Sequence, residues 1–406
     1  MSNPVFIVLV GTGGMGSVYL DALLKKKRSG LFRLAGTVDP YPDRCSRPDE
    51  LRALKIPRFG SLEEFFDGAR ADLAIISSPI HFHREQTIAA LTRGSDVLCE
   101  KPPAATIQEV RAMIEARDLA GKWVAVGYQW SFSRAVQSLK KDIMVGLLGK
   151  PKRLKCLYLW PRDEVYYQRN DWAGKQKNGQ GRWILDSPAN NAMAHDLHNM
   201  FYILGRTRET SAVPVRVKAE LYRAYGVDNF DTAAIRCLTS EGTEILFYAS
   251  HSAPLDTGPV LSYEFEGGTV SAAGRGAAIT SFIRGRSKNY GCPDSEPLRK
   301  LSASIASVRS RRLPECGLEA AMSQTLCING AQDSMPEIRE FPASLIEVRG
   351  QPGGRSIQVR GLDEALKACY ERNCLPSELG ISWAAAGREV DLLGYDDFPG
   401  GRRRDG

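Results

Sequence analysis

The chain has 406 residues, 43% of them hydrophobic and 25% charged, with a formal net charge of +7. That length exceeds one ordinary core and points to two domains. The composition is globular, and no apolar run nears the ~20 residues of a membrane helix, so no membrane association is expected.

The basic residues form short runs, Lys25-Lys26-Lys27-Arg28 and Arg402-Arg403-Arg404, without interleaved aromatics, so no nucleic-acid surface is expected. The nine cysteines are scattered and fit no zinc or redox spacing, as expected of reduced thiols in a cytoplasmic protein. Residues 4–10 read as a structural strand rather than a leader. Strand and helix then alternate: strand 5–10, helix 14–26, strands 34–39 and 71–77, helix 81–92, strand 96–100, helix 106–120, strand 123–126 and helix 132–148. Such alternation predicts an α/β N-terminal Rossmann domain, a doubly wound parallel sheet, over 1–126.

Beyond Gly149-Lys150-Pro151 the texture changes. A strand at 153–160 and a polar loop at 172–182 precede a helix at 187–204. Strands follow at 215–225, 232–238, 243–249, 260–265 and 269–272, with helices at 318–334 and 362–372. Residues 127–393 therefore read as an α+β domain with a large, mostly antiparallel open sheet. Residues 394–406 read as a flexible tail.

Gly11-Thr12-Gly13-Gly14-Met15-Gly16 places a G-x-G-x-x-G pattern between an apolar strand and an amphipathic helix. Gly11 permits the tight turn, Gly13 lets the backbone approach a pyrophosphate, and Gly16 lets helix and strand pack closely. Thr12, Gly14 and Met15 complete the cradle, whose free N–H groups suit phosphate. Asp39 ends the next strand, where a carboxylate holds a ribose 2′-OH and repels a 2′-phosphate. NAD is the expected cofactor; nearby Arg44 leaves NADP open.

Ligands in such sheets lie beyond the carboxyl ends of the strands. Ser77 and Pro79 are there, and so is Glu100-Lys101-Pro102. A lysine at position 101 can donate to a substrate oxygen and polarise it. Gln129 is a candidate for hydrogen bonding cofactor or substrate. His83, on the first turns of a helix, fits a cofactor contact or a capping role equally well.

In the helix at 187–204, Ser187 suits the N-cap and Pro188 the first turn. At about 100° per residue, Asn191, His195 and His198 share one face, opposite Met193, Leu197, Met200 and Leu204. His195 suits acid/base work because imidazole titrates near neutrality. No carboxylate or cysteine is spaced to make His195 and His198 a metal site.

These segments resemble the Gfo/Idh/MocA family of sugar and cyclitol oxidoreductases. The matching stretches are 10–16, Ser77-Ser78-Pro79 with His83, Glu100-Lys101-Pro102, Gly127-Tyr128-Gln129-Trp130-Ser131-Phe132, Gly146-Leu147-Leu148-Gly149-Lys150 and the helix ending in Leu204-Gly205. The resemblance implies that Lys101 is catalytic, that its bond to Pro102 is often cis, and that His195 is the acid/base. It also implies a homo-oligomer, dimer or tetramer, formed through the open sheet. The chain departs from the pattern at Asn191, where the family usually has Asp, and at His198, where it has a later Asp. Asn191 can orient a partner but cannot take a proton.

The expectation is an NAD-dependent enzyme acting on the CH–OH groups of a sugar, sugar derivative or cyclitol. Lys101, Asn191 and His195 would form its centre. Tyr128, Trp172 and His198 are further substrate contacts, and Arg182 and Lys175 are anchors for an anionic group. Two alternatives stay open: a redox-neutral enzyme with tightly held NAD, and a non-catalytic dinucleotide-binding sensor or scaffold, which Asn191 favours.

Overall fold

The computed structural model describes residues 3–400. Val5–Val10 (β1), Phe32–Val38 (β2), Arg58–Phe59 (β3), Leu73–Ile76 (β4), Asp96–Cys99 (β5) and Val124–Val126 (β6) form one sheet. Its order is β3-β2-β1-β4-β5-β6, and every pair is parallel. Successive strand residues point to opposite faces, so a strand such as β4, buried at every position, must be covered on both sides. Helices Met15–Lys25, Ile80–Thr92 and Ile107–Ala120 follow β1, β4 and β5. The strand order reverses between β1 and β4, and there a crevice opens at the strand ends.

The second sheet contains Pro151–Leu159 (β7), Pro214–Arg223 (β8), Thr232–Thr239 (β9), Glu244–Ser250 (β10), Thr257–Phe265 (β11), Gly268–Ala273 (β12), Ile279–Ile283 (β13), Arg286–Gly291 (β14) and Arg339–Glu340 (β15). Ile346–Arg349 (β16) and Ser356–Val359 (β17) form a separate hairpin, and Val390–Asp391 (β18) pairs with β8. The order is β14-β13-β12-β11-β7-β10-β9-β8-β15, antiparallel except for β7 with β10 and β8 with β15. The predicted two-part architecture is therefore present.

Helix Leu318–Ser334 packs along β8, where Ser334 Oγ accepts from Ala219 N at 2.8 Å. The opposite face is covered by the chain itself. Lys155 donates to Tyr370 O and Asn373 Oδ1 at 2.8 and 2.9 Å, and Arg236 donates to both Glu378 oxygens. Ser377 Oγ donates to Glu220, and Tyr248 is fully buried.

Three of the expected elements take a different form. The helix expected at 132–148 is a short turn, Gln129–Phe132, followed by Arg134–Met144, because Ser133 is extended and caps the second piece through Val136 N. The helix expected at 187–204 is also broken. Ser187 caps a π-turn, Pro188–Ala192; Met193 interrupts it, and the α-helix runs from Ala194 to Ile203. Residues 394–400 of the expected tail are packed, since Tyr395 and Phe398 are buried and Phe398 meets the Trp183 ring at 4.9 Å. Residues 401–406 lie outside the described residues.

Chain from the second half also packs on the first sheet. Helix Arg299–Ser310 lies against β1, β4 and β5. Asn329 accepts from Ile107 N at 2.8 Å and donates to Ala105 O at 2.9 Å. No described helix is long and apolar enough to cross a membrane.

Candidate active site

The glycine turn is shaped by close approach. A Cβ at Gly16 would lie 2.0 Å from Gly11 O, and Gly11 itself adopts φ +81°. Ser77 Oγ clamps the turn by donating to Val10 O and Gly11 O at 2.9 and 3.0 Å. Asp39 Oδ2 accepts from both N and Oγ1 of Thr12 at 2.8 Å, and its Oδ1 accepts from Tyr41 N. Among the described residues, the N–H groups of Gly13, Gly14 and Met15 have no recorded acceptor. The set fits a dinucleotide: free donors for the phosphates, a bare backbone above them, and an oriented carboxylate at the end of β2.

At the end of β5 the Lys101–Pro102 bond is cis, as the resemblance implies. His83 lies beneath it, with Nδ1 2.9 Å from Pro102 O and Nε2 2.8 Å from Ser78 O. Its two nitrogens thus lie against carbonyl oxygens of the two segments that follow β4 and β5. Pro79 stands at the N-cap of Ile80–Thr92, beside them. Glu100 points inward, where it accepts from Lys300 Nζ and Tyr19 OH at 2.5 Å. Burial would raise its pKa, but Lys300 and Tyr19 hold the carboxyl below its usual range. Its contacts are therefore those of a buried anchor.

Lys101 Nζ donates to Asn191 O at 2.6 Å and Asn191 Oδ1 at 2.9 Å, which leaves one N–H for a ligand. Burial pushes this amine down to about 8 against the pull of Glu100. Asn191 Nδ2 in turn donates to Asp186 Oδ1 at 2.7 Å. Asp186 is buried, accepts from Gly174 N at 2.6 Å, and lies 3.6 Å from the Arg169 guanidinium. A buried carboxylate thus stands behind Asn191, five positions earlier in the chain. Sequence reasoning missed Asp186. Its only signal was a lone carboxylate ahead of Ser187, in a loop whose path was not predictable.

His195 is half-buried, and its Nδ1 is enclosed without a partner. Burial, with Lys101 and Lys300 nearby, holds the imidazole well below its usual pKa, so it is neutral at pH 7. Tyr128 meets it edge-on at 5.8 Å.

Other expected contacts are placed elsewhere. The break at Met193 separates Asn191 from the regular helix and turns His198 into the core. There His198 is fully buried, stacks on Tyr128 at 3.8 Å and lies 2.9 Å from Ser131 Oγ. Tyr128 is equally buried, with its OH donating to Gln324 at 2.9 Å, so neither ring is open to a sugar. Gln129 donates to Asp294 Oδ1 at 3.2 Å. Arg182 donates to both oxygens of Glu85 at 2.9 Å, an exposed tie across the crevice. Trp172 is half-buried, with the Arg169 guanidinium 5.3 Å from its ring.

Comparison with known proteins bears on this geometry. Residues 5–128 match the family model described as "Oxidoreductase family, NAD-binding Rossmann fold". D-glucoside 3-dehydrogenase of Escherichia coli K12 is 36% identical over 155 residues, 37% of this chain and 42% of that protein. The 2,7-anhydro-N-acetylneuraminate hydratase of the same strain is 26% identical over 161 residues, 39% and 40% of the two chains. The chain thus spans less than half the length of these curated relatives. A solved structure, the WlbA dehydrogenase of Bordetella pertussis in complex with NADH and UDP-GlcNAcA, is 21% identical with a TM-score of 0.65, covering 80% of this chain and 93% of its own. At that identity the likeness is one of fold. Over residues 5–128 the chain is therefore similar to the Gfo/Idh/MocA family of NAD-binding oxidoreductases.

Proposed function

We propose that the chain is an NAD-dependent oxidoreductase acting on a CH–OH group of a sugar, sugar derivative or cyclitol. The observation that carries this reading is the Lys101 ammonium, held at the end of β5 by two bonds to Asn191 with one N–H left over, and half-buried His195 four residues beyond Asn191, whose Nδ1 has no partner. Bound NAD supplies the two-electron acceptor. Neutral His195 takes the hydroxyl proton while Lys101 donates its remaining N–H to the same oxygen and stabilises the charge developing there. Asn191 orients Lys101, and Asp186 orients Asn191. The carbon loses one hydrogen with two electrons, the oxygen loses a proton, and a carbonyl results; reduction is the reverse.

Asp39 supports NAD over NADP, because a 2′-phosphate would meet its fixed carboxylate. The hydratase relative supports a second reading, in which the same groups act in a redox-neutral reaction with NAD retained. The resemblance assigned homo-oligomer contacts to the open sheet face. In this chain residues near 370–378 cover that face over β7–β10. The part nearer β12–β14, where Phe282 is exposed, is the portion we assign to a partner copy.

Titration of the purified protein with NADH and NADPH, followed by nicotinamide fluorescence, tests the cofactor reading. Tighter binding of NADH is expected, with the preference narrowed about tenfold in Asp39→Ala, the loss of roughly one charged hydrogen bond. Gly16→Ala should bind neither. A sugar panel then tests turnover, which Lys101→Ala and His195→Ala should abolish. No NADH binding by the wild type refutes the reading.

A further inference from the structure

A row of alternating aromatic rings and guanidinium groups runs beside the Lys101 centre, and nothing above assigns it a role. The Arg275 guanidinium lies 4.5 Å from the Trp160 ring, and Arg162 lies 3.5 Å from that ring and 4.4 Å from Tyr166. Arg169 lies 3.8 Å from Tyr166 and 5.3 Å from Trp172. One end of the row is tied to the candidate centre, since Arg169 is 3.6 Å from Asp186, which holds Asn191 and through it Lys101.

The three arginines are not equally paired. Arg275 donates to both oxygens of Asp256, and Arg169 donates to Tyr166 O beside its long contact with Asp186. The guanidinium of the central Arg162 has no hydrogen-bond or carboxylate partner among the described residues, and its Nε is enclosed without an acceptor. A half-buried guanidinium flanked by two more is costly unless an anion neutralises it. Stacking on Trp160 and Tyr166 engages the plane of the guanidinium and leaves its N–H edge without an acceptor. That edge matches a carboxylate or phosphate bidentately.

We propose that Arg162, flanked by Arg169 and Arg275, binds an anionic group, carboxylate or phosphate, on the sugar presented to Lys101 and His195. This rests on the oxidoreductase reading for the sugar, whereas the anion site stands on the arginines alone. Arg162 fixes which substrate is held, and the aromatic rings give the rest of the ligand flat apolar surface.

Calorimetric titration of the full chain, with and without NADH, tests the site using D-glucuronate, D-glucose 6-phosphate and D-glucose as probes. At least one anion is expected to bind about 10- to 100-fold more tightly than glucose, the range of one or two charged hydrogen bonds. The advantage should shrink in 1 M NaCl. It should fall toward one in Arg162→Gln, with Arg162→Lys intermediate because it keeps the charge without the fork. Circular dichroism and a thermal melt separate this from misfolding. If glucose binds as well as both anions, if no probe binds, or if a folded Arg162→Gln keeps the preference, the proposal is wrong. Which anion wins distinguishes carboxylate from phosphate. NADH binding without the anion preference overturns this site alone. The preference without NADH binding overturns the oxidoreductase reading instead.

Discussion

Replacing Asn191 by Asp tests whether Lys101 is set by its neighbours. Lys101 Nζ lies 2.9 Å from Asn191 Oδ1, and its pKa is pushed down to about 8 chiefly by burial. A full negative charge at that oxygen would be worth about 6 kcal/mol at an effective dielectric constant of about 20. That corresponds to a ceiling of about 4 pKa units. The new carboxyl would also sit against Asp186, whose Oδ1 is 2.7 Å from Asn191 Nδ2. Two carboxyls so close share a proton, so only part of the charge appears. The expected rise is about 1–2 units, the larger part of the ceiling being lost to this sharing. Amines acylate only when deprotonated, so acetic anhydride labelling across pH, with peptide mass mapping, reads the titration of Lys101 without a substrate. Wild-type Lys101 should reach half-maximal labelling near pH 8, and Asn191→Asp near pH 9–10, about 1–2 units higher. Lys101 is protonated below its pKa, so turnover that needs its N–H should decline as pH rises through about 8 and persist further in the variant. If wild-type Lys101 labels with the surface lysines near pH ~10.4, or the substitution leaves it unmoved, the argument fails.

Lys300→Met should cost about 3–5 kcal/mol in urea unfolding because it strands the Glu100 carboxylate, while Lys300→Met with Glu100→Gln should cost less than the sum of the singles; strict additivity would deny the pair any coupling. Glu100 titrates below its unfolded value, so the stability it contributes is present above about pH 4.3 and lost as pH falls through its folded pKa. Deleting residues 394–406 removes buried Tyr395 and Phe398 and should cost about 3–6 kcal/mol by the same measurement, whereas an unchanged midpoint would mean the segment is not docked.

The legible parts were those written in local pattern. The apolar run of β1, its glycine turn and the Asp39 strand end define a cofactor cradle within forty residues of one another, and the structure assembles them in place. The site helix was less legible. Periodicity assumes an unbroken 3.6-residue turn, and the π-turn with its stop at Met193 moves His198 off the face it would share with His195. Strand β14, Arg-Ser-Lys-Asn-Tyr-Gly, is polar throughout and carries no alternation, so it was missed. Lys300 owes its role to Glu100, 200 residues away, whereas Asp186 and Arg162 meet nearby partners along loop and turn paths that periodicity does not describe.

The Glu100–Lys300 pair also bears on the order in which the molecule can be completed. Its members are 200 residues apart, and Asn329 clasps Ala105 and Ile107 across more than 220. At about 5–20 residues per second of synthesis, β5 waits on the order of 10–40 s for the lysine that neutralises its terminal carboxylate. Until then Glu100, at the strand end bearing Lys101, lacks the ammonium that bonds it in the finished protein, so the nascent dinucleotide domain lacks its final closure. The cradle and the residues meant to act on its contents therefore mature together, although the cradle is made first.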